Sequence, residues 1–255
     1  MADPMYQTRG RTITRTAEID EGLRAYMNKI YALMAGAMII TGLVAYVVGM
    51  DLKAAMNGQA TTLLPPELVM AMFTSPIMYI IMFAPLIFVF AFAGMINRMS
   101  AATAQTVFWA FAAVMGLSIA HIFAVFTGMS IARVFFITAI AFGALSLYGY
   151  TTKKDISGWG AFLIMGVVGL IVAMIANIFI ASSALQMAIS VLGVLIFAGL
   201  TAYDTQRLKN QYLEFRGTPG GEAYLEKGAV MGALNLYLDF LNMFMFLLHI
   251  FGQRE

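Results

Sequence analysis

Two aspartates stand inside stretches that otherwise read as membrane-buried: Asp204, near the end of the apolar run 186–206, and Asp239, within the apolar run 229–251. An ionised carboxylate at the centre of a bilayer costs about 2.5–3.5 kcal/mol on insertion scales and more by simulation. A chain that keeps two of them pairs them or uses them. The chemistry open to such a pair is proton exchange, because two close carboxyls in a low dielectric titrate as one coupled unit. It is also weak coordination of a hard cation that prefers oxygen ligands. Each residue has a simpler account. Asp204 sits three residues before Arg207, the spacing of a local ion pair on one helix face. Asp239 has no cation within one turn, so its simpler account is a hydrogen-bonded structural carboxyl.

The rest of the chain says what must position these groups. Of 255 residues, 61% are hydrophobic and 11% charged, against roughly 45–50% and about 25% for a soluble domain. Mean hydropathy is +0.84. This predicts an all-α polytopic membrane protein. Seven runs reach the ~20 residues a spanning helix needs: 30–50, 76–97, 105–127, 131–151, 160–181, 186–206 and 229–251. None shows the alternation of a β-barrel strand. A net charge of +2, spread along the chain, gives no nucleic-acid footprint, and the absence of cysteine excludes disulfides and thiolate chemistry. Residues 1–28 read as a polar tail and 29–255 as the membrane domain. If the N-terminus is cytoplasmic, twelve Lys and Arg fall on inner segments and three (Lys53, Arg133, Arg254) on outer ones, which predicts N-inside by the positive-inside rule. The two longest connections are 51–75 and 207–228. The first includes a candidate interfacial helix after Pro65-Pro66, and the second a turn at Gly217–Gly221.

On a helical projection Asn235, Asp239, Asn242 and His249 share one stripe of the seventh run, near Gly232, and Ser190, Thr201 and Asp204 share a face of the sixth with Gly193. Polar stripes of this kind face a bundle interior or a water-filled cavity, and small residues allow close helix contact. Spans six and seven, joined by one loop, are expected to pack side by side with Asp204 and Asp239 within interacting range. Asn177, Asn235 and Asn242 also fit interhelical hydrogen bonding, and His121 and His249 ordinary interface positions.

The segments Ala202-Tyr203-Asp204-Thr205-Gln206 and Ala233-Leu234-Asn235-Leu236-Tyr237-Leu238-Asp239-Phe240-Leu241-Asn242, with Tyr148-Gly149-Tyr150-Thr151-Thr152-Lys153 at the end of span four, resemble the Bax inhibitor-1 family of transmembrane proteins. The resemblance implies a pH-sensitive calcium leak in the bacterial inner membrane, with protons as regulator, calcium as permeant ion and no bound cofactor. The matching aspartates are Asp204 and Asp239. The resemblance gives an arginine at the inner end of span two, here Arg98, the role of a latch on the pair. Asn235, Asn242, Tyr203, Tyr237 and Asn177 are the candidates for lining the path. Two carboxylates are too few for a tight calcium site of six to eight oxygens, and weak binding is what conduction requires.

Three rivals stand beside this. An intramembrane aspartyl protease needs glycines before its second aspartate, where this chain has Leu236-Tyr237-Leu238; no enzymatic role is expected. Some bacterial relatives are linked to an AAA membrane protease, which makes a regulator or partner of such a protease, acting through residues 1–28, the alternative function. A proton-coupled transporter of another substrate is the third.

Overall fold

The computed structural model describes residues 4–254, with side chains described from 21 onward except at Asn97. The expected protease-contacting surface in the tail therefore falls outside the described side chains. The described chain is α-helical, and its only β feature is an isolated bridge between Phe126 and Arg254. The elements are α1 (Pro4–Met56), α2 (Pro66–Thr74), α3 (Ile77–Met95) with a 3-10 turn (Ile96–Arg98), α4 (Ala101–Ile119), α5 (Ile122–Val125), α6 (Gly128–Thr151), α7 (Trp159–Ile180), α8 (Ser183–Phe215) and α9 (Gly221–Phe251). Seven of the helical segments are long and apolar enough to cross a membrane. With no water in hydrocarbon to satisfy backbone groups, apolar runs of this length close their hydrogen bonds internally as helices. The all-α seven-span expectation agrees with this architecture. Ser100, Thr127 and Ser182 cap α4, α6 and α8 by accepting from the backbone N–H three residues on, which pairs one of the orphan donors at each helix start.

The bundle is organised around α9. Its apolar window is 56% buried, against 11% for α3 and α7, so α9 is the central helix and those two are peripheral. It packs against α8, α1, α6 and α4. The candidate interfacial helix after Pro65-Pro66 forms as α2.

Two boundaries differ from the hydropathy reading. Segment 207–228 is not a long loop: α8 continues to Phe215 and α9 begins at Gly221, leaving a tight turn with Gly217 and Gly220 at positive φ. The helices overrun the apolar runs because Leu208 and Tyr212 of α8 and Leu225 and Ala229 of α9 continue a helical stripe that buries against Leu23, Tyr26 and Met27 of α1, with Tyr26 and Tyr212 ring centroids 5.3 Å apart. For the same reason the packed domain begins before residue 29. Helix α1 runs unbroken through that position, and Leu23, Tyr26 and Met27 already belong to the core.

Candidate functional site

Asp204 and Asp239 meet across the α8–α9 interface, the most extensive helix pairing in the bundle. Their carboxyl groups interact directly across that interface. Both residues are buried, Asp239 at 4% exposure, and Asp239 Oδ2 has no hydrogen-bond partner. Arg207 Nη1 lies 4.0 Å from Asp204 Oδ1, with the arginine 62% exposed. The two accounts of Asp204 thus coexist: it pairs along its own helix with Arg207 and across the interface with Asp239.

The sequence segment around Asp204 is used residue by residue. Ala202 presses its backbone onto α6 where Gly149 leaves room, since a Cβ at Gly149 would strike the Ala202 carbonyl oxygen. Tyr203 lays its ring and hydroxyl against Gly160 of α7, where a Cβ would strike them. Thr205 Oγ1 lies 3.0 Å from Ser146 Oγ, which in turn lies 2.5 Å from the Tyr31 hydroxyl. Buried Gln206 accepts from the Ile156 N–H at 2.9 Å and donates to the Lys154 carbonyl at 2.8 Å. Four neighbouring residues therefore clamp α8 to α6, α7 and the α6–α7 loop, and the clamp fixes the rotation that turns Asp204 toward α9. On α9, Tyr237 is fully buried. Its hydroxyl lies 2.6 Å from Thr41 Oγ1, which donates to the Ala112 carbonyl at 2.8 Å, and its ring packs edge-on against Phe108 and Phe111. The bulk at this place is a packed aromatic core that ties α9 to α1 and α4.

The remaining candidates spread out. Arg98 is exposed in the 3-10 turn after α3, and the structure does not bring it to the carboxyl pair; the cation there is Arg207. Asn177 is far from the pair. Its amide donates to Gln186 Oε1 at 3.1 Å and its oxygen accepts from Ser182 N–H at 3.0 Å, closing the α7–α8 hairpin beside Ala181, which has φ +52°. Asn242 donates to the Leu238 carbonyl of its own helix at 2.8 Å. Asn235 is half-buried on the Asp239 stripe. His249 is exposed, with Nδ1 2.6 Å from the Met245 carbonyl oxygen. The polar stripe of α9 thus turns inward at Asp239 and reaches the surface at His249. Tyr203 lines a polar cavity of about 250 Å³ beside Arg207, Gln206 and Glu214 at the α8–α9 turn end. Toward the opposite end, Met243, Phe244, Phe246 and Leu247 are buried, so the pair is approached by polar groups from one side and closed by apolar ones on the other.

Sequence reasoning passed over Asp51. It is 1% exposed, and its carboxylate accepts from the N–H groups of Thr62, Leu63 and Leu64 at 2.6, 2.9 and 2.9 Å. Its partners lie in an irregular loop, where no spacing rule points to them.

A family model described as "Inhibitor of apoptosis-promoting Bax1" matches residues 23–255 of this seven-span chain. The chain belongs to the Bax inhibitor-1 family. The match begins at Leu23, a buried core residue of α1. Among its relatives, an uncharacterized protein of Rickettsia prowazekii is 40% identical over 249 residues, covering 96% of this chain and 98% of the relative. Inner membrane protein YbhL of Escherichia coli K12 is 40% identical over 237 residues, covering 92% of this chain and 94% of the relative. An uncharacterized membrane protein of Streptococcus pyogenes is 31% identical over 237 residues, covering 92% and 96%.

Proposed function

We propose that this Bax inhibitor-1 protein is a pH-sensitive calcium leak of the bacterial inner membrane, with its N-terminus in the cytoplasm, and that Asp204 and Asp239 are the shared proton and cation site. The observation that carries the reading is the pair of buried carboxyl groups that face each other between α8 and α9, with Asp239 Oδ2 buried and unpartnered. A buried polar atom left without a partner is costly, and here the atom is one that a proton or a cation would satisfy. Protonated, the pair holds α8 and α9 together. Deprotonated, two adjacent negative charges repel in a low dielectric and together attract a hard cation. Proton and calcium thus compete for the same oxygens.

The polar cavity at Tyr203, Arg207 and Glu214 serves as the cytoplasmic approach, and Arg207 is the cation that meets an entering ion. The buried ring of Phe246, stacked 6.0 Å from Phe197, belongs to the apolar closure that parts when the path opens. Arg98 acts as a latch only in a conformation that carries it from its exposed turn to the pair. The inner-membrane assignment is supported by the likeness to the inner membrane protein YbhL, and the orientation by the distribution of basic residues.

The test is calcium entry into proteoliposomes on either side of neutral pH, comparing the wild type with Asp239→Asn. The expected result is a pH-dependent leak in the wild type and a pH-independent one in the variant, which keeps the shape of the side chain and removes its ionisation. Folded wild-type protein that passes no calcium at any pH overturns the proposal.

A further inference from the structure

We infer that the cleft between α1 and α6 is a binding site for one anionic phospholipid of the inner leaflet. The inference does not depend on calcium conduction and rests on the orientation set by the basic residues. Helices α1 and α6 each pack on α8 and α9 but scarcely on one another, and the seam between them opens into a cavity of about 470 Å³. Arg24, Asn28 and Tyr31 line one wall; at spacings of four and three residues they form one stripe of α1. Gly143, Ser146 and Tyr150 line the other, a matching stripe of α6. The floor is the Tyr31 hydroxyl reaching Ser146 Oγ at 2.5 Å.

The chemistry of the cavity is graded along its length. At its N-terminal end stand Arg24 and Asn28, both exposed. Lys209 adds a second positive charge beside that mouth, donating to the Tyr150 carbonyl at 2.7 Å and lying 5.7 Å from the Tyr150 ring. Next come the hydroxyls of Tyr31 and Ser146. Met27, Phe142 and Leu147 supply the apolar surface. From Arg24 to Tyr31 the helix rises about 10 Å, the depth over which a phospholipid passes from phosphate to acyl chain. Basic pockets between spanning helices on the cytoplasmic side recognise anionic headgroups, and an arginine paired with an amide donor one turn away suits a phosphate oxygen. Charge complementarity therefore commits the cleft to an anionic lipid, with its phosphate at Arg24 and Asn28 and one acyl chain across Gly143. At Gly143 an added Cβ would meet no atom within 4 Å, so this glycine keeps the groove open without being required by packing.

The experiment is native mass spectrometry of the full chain released from nanodiscs of mixed phosphatidylglycerol and phosphatidylcholine, with thermal unfolding recorded in parallel. Wild type is expected to retain one phosphatidylglycerol in preference to phosphatidylcholine. Arg24→Gln is expected to reduce that preference roughly fivefold, the weight of about one basic residue near the membrane surface. Gly143→Leu is expected to lose the bound lipid while unfolding at the wild-type temperature. Gly169→Leu, which adds the same bulk to the exposed face of α7 where nothing lies within 4 Å, is expected to retain it. Equal retention of the two lipids by wild type, or full retention by Gly143→Leu, overturns the assignment. Should Gly143→Leu unfold early, the Arg24→Gln preference alone decides it.

Discussion

The Tyr237 hydroxyl of α9 lies 2.6 Å from the Thr41 hydroxyl of α1, two residues before the aspartate that meets α8. Thr41 already donates to the Ala112 carbonyl of α4 at 2.8 Å, so Tyr237 is the donor to Thr41, and three helices are joined through one threonine. Tyr237→Phe keeps the ring between Phe108 and Phe111 and removes that one bond. The expected loss of stability is about 1 kcal/mol, the net worth of a buried neutral hydrogen bond. Thr41→Val should cost more, because it strips partners from both Tyr237 and Ala112. In a double-mutant cycle followed by unfolding in detergent micelles, the two losses should fall short of additivity, as for groups that share a partner. Strict additivity would show that the contact carries no energy.

Arg207 is the fixed positive charge nearest the carboxyl pair, and it is exposed enough to be screened. Its contribution to stability is expected to be below about 1 kcal/mol, as for other surface ion pairs. On the proposed leak of divalent cations its effect is expected to be larger in proportion, because a positive charge beside the entrance would lower the local concentration of calcium. Arg207→Gln should therefore raise calcium entry severalfold at low ionic strength, with the difference shrinking as salt is added. Arg98→Gln, altered at an exposed turn away from the pair, should leave entry unchanged. The opposite ranking of these two variants would assign the controlling cation to Arg98 and to a conformation other than this one.

How far the sequence carried these conclusions depends on which physical signal each residue leaves. The spans were legible because hydrocarbon admits only long apolar helices. The two aspartates were legible because lipid makes an unpaired carboxylate costly, and so was the α8–α9 pairing, because one connection joins them. The overruns of α8 and α9 were missed for a specific reason. Polar residues such as Lys209, Asn210 and Glu214 read as loop on a hydropathy scale, although Leu208, Tyr212 and Phe215 keep the helical period that buries against Leu23 and Tyr26. That stripe was available and would have extended both helices. The location of Arg98 and the partners of Asn177 were not available, since tertiary packing alone decides whether an amide at a helix end caps a hairpin or lines a path.

Gly149 illustrates a residue whose role follows from close approach. It faces the Ala202 backbone of α8 with no space for a side chain, and Ala202 is two residues before Asp204. Gly149→Val should separate α6 from α8, costing about 1–3 kcal/mol as other overpacked cores do. It should also weaken the Ser146–Thr205 contact of 3.0 Å one turn away. Melting in detergent reads the first effect. The second should appear as faster amide exchange in 201–206 than in the peripheral α7. A variant as stable as wild type would mean that α8 relaxes around the new side chain and that the clamp on Asp204 is softer than its geometry implies.

Asp51 provides the last prediction, and it concerns the end of the bundle opposite the carboxyl pair. Its two carboxylate oxygens accept three consecutive N–H groups, from Thr62, Leu63 and Leu64, and hydrogen bonds to a charged acceptor are roughly twice as strong as neutral ones. They hold the irregular segment between α1 and α2, which has little regular backbone pairing of its own. Asp51→Asn keeps the size of the side chain but turns one acceptor into a donor facing N–H groups, so at least one bond is lost and one donor is left opposed. The expected cost is about 1–3 kcal/mol, concentrated locally: limited proteolysis should cut within 57–65 in the variant under conditions that spare the wild type, while the α8–α9 pairing and any calcium entry stay unchanged. Equal protease resistance in the two proteins would show that the segment is held by α2 packing through buried Val69 and not by the Asp51 carboxylate.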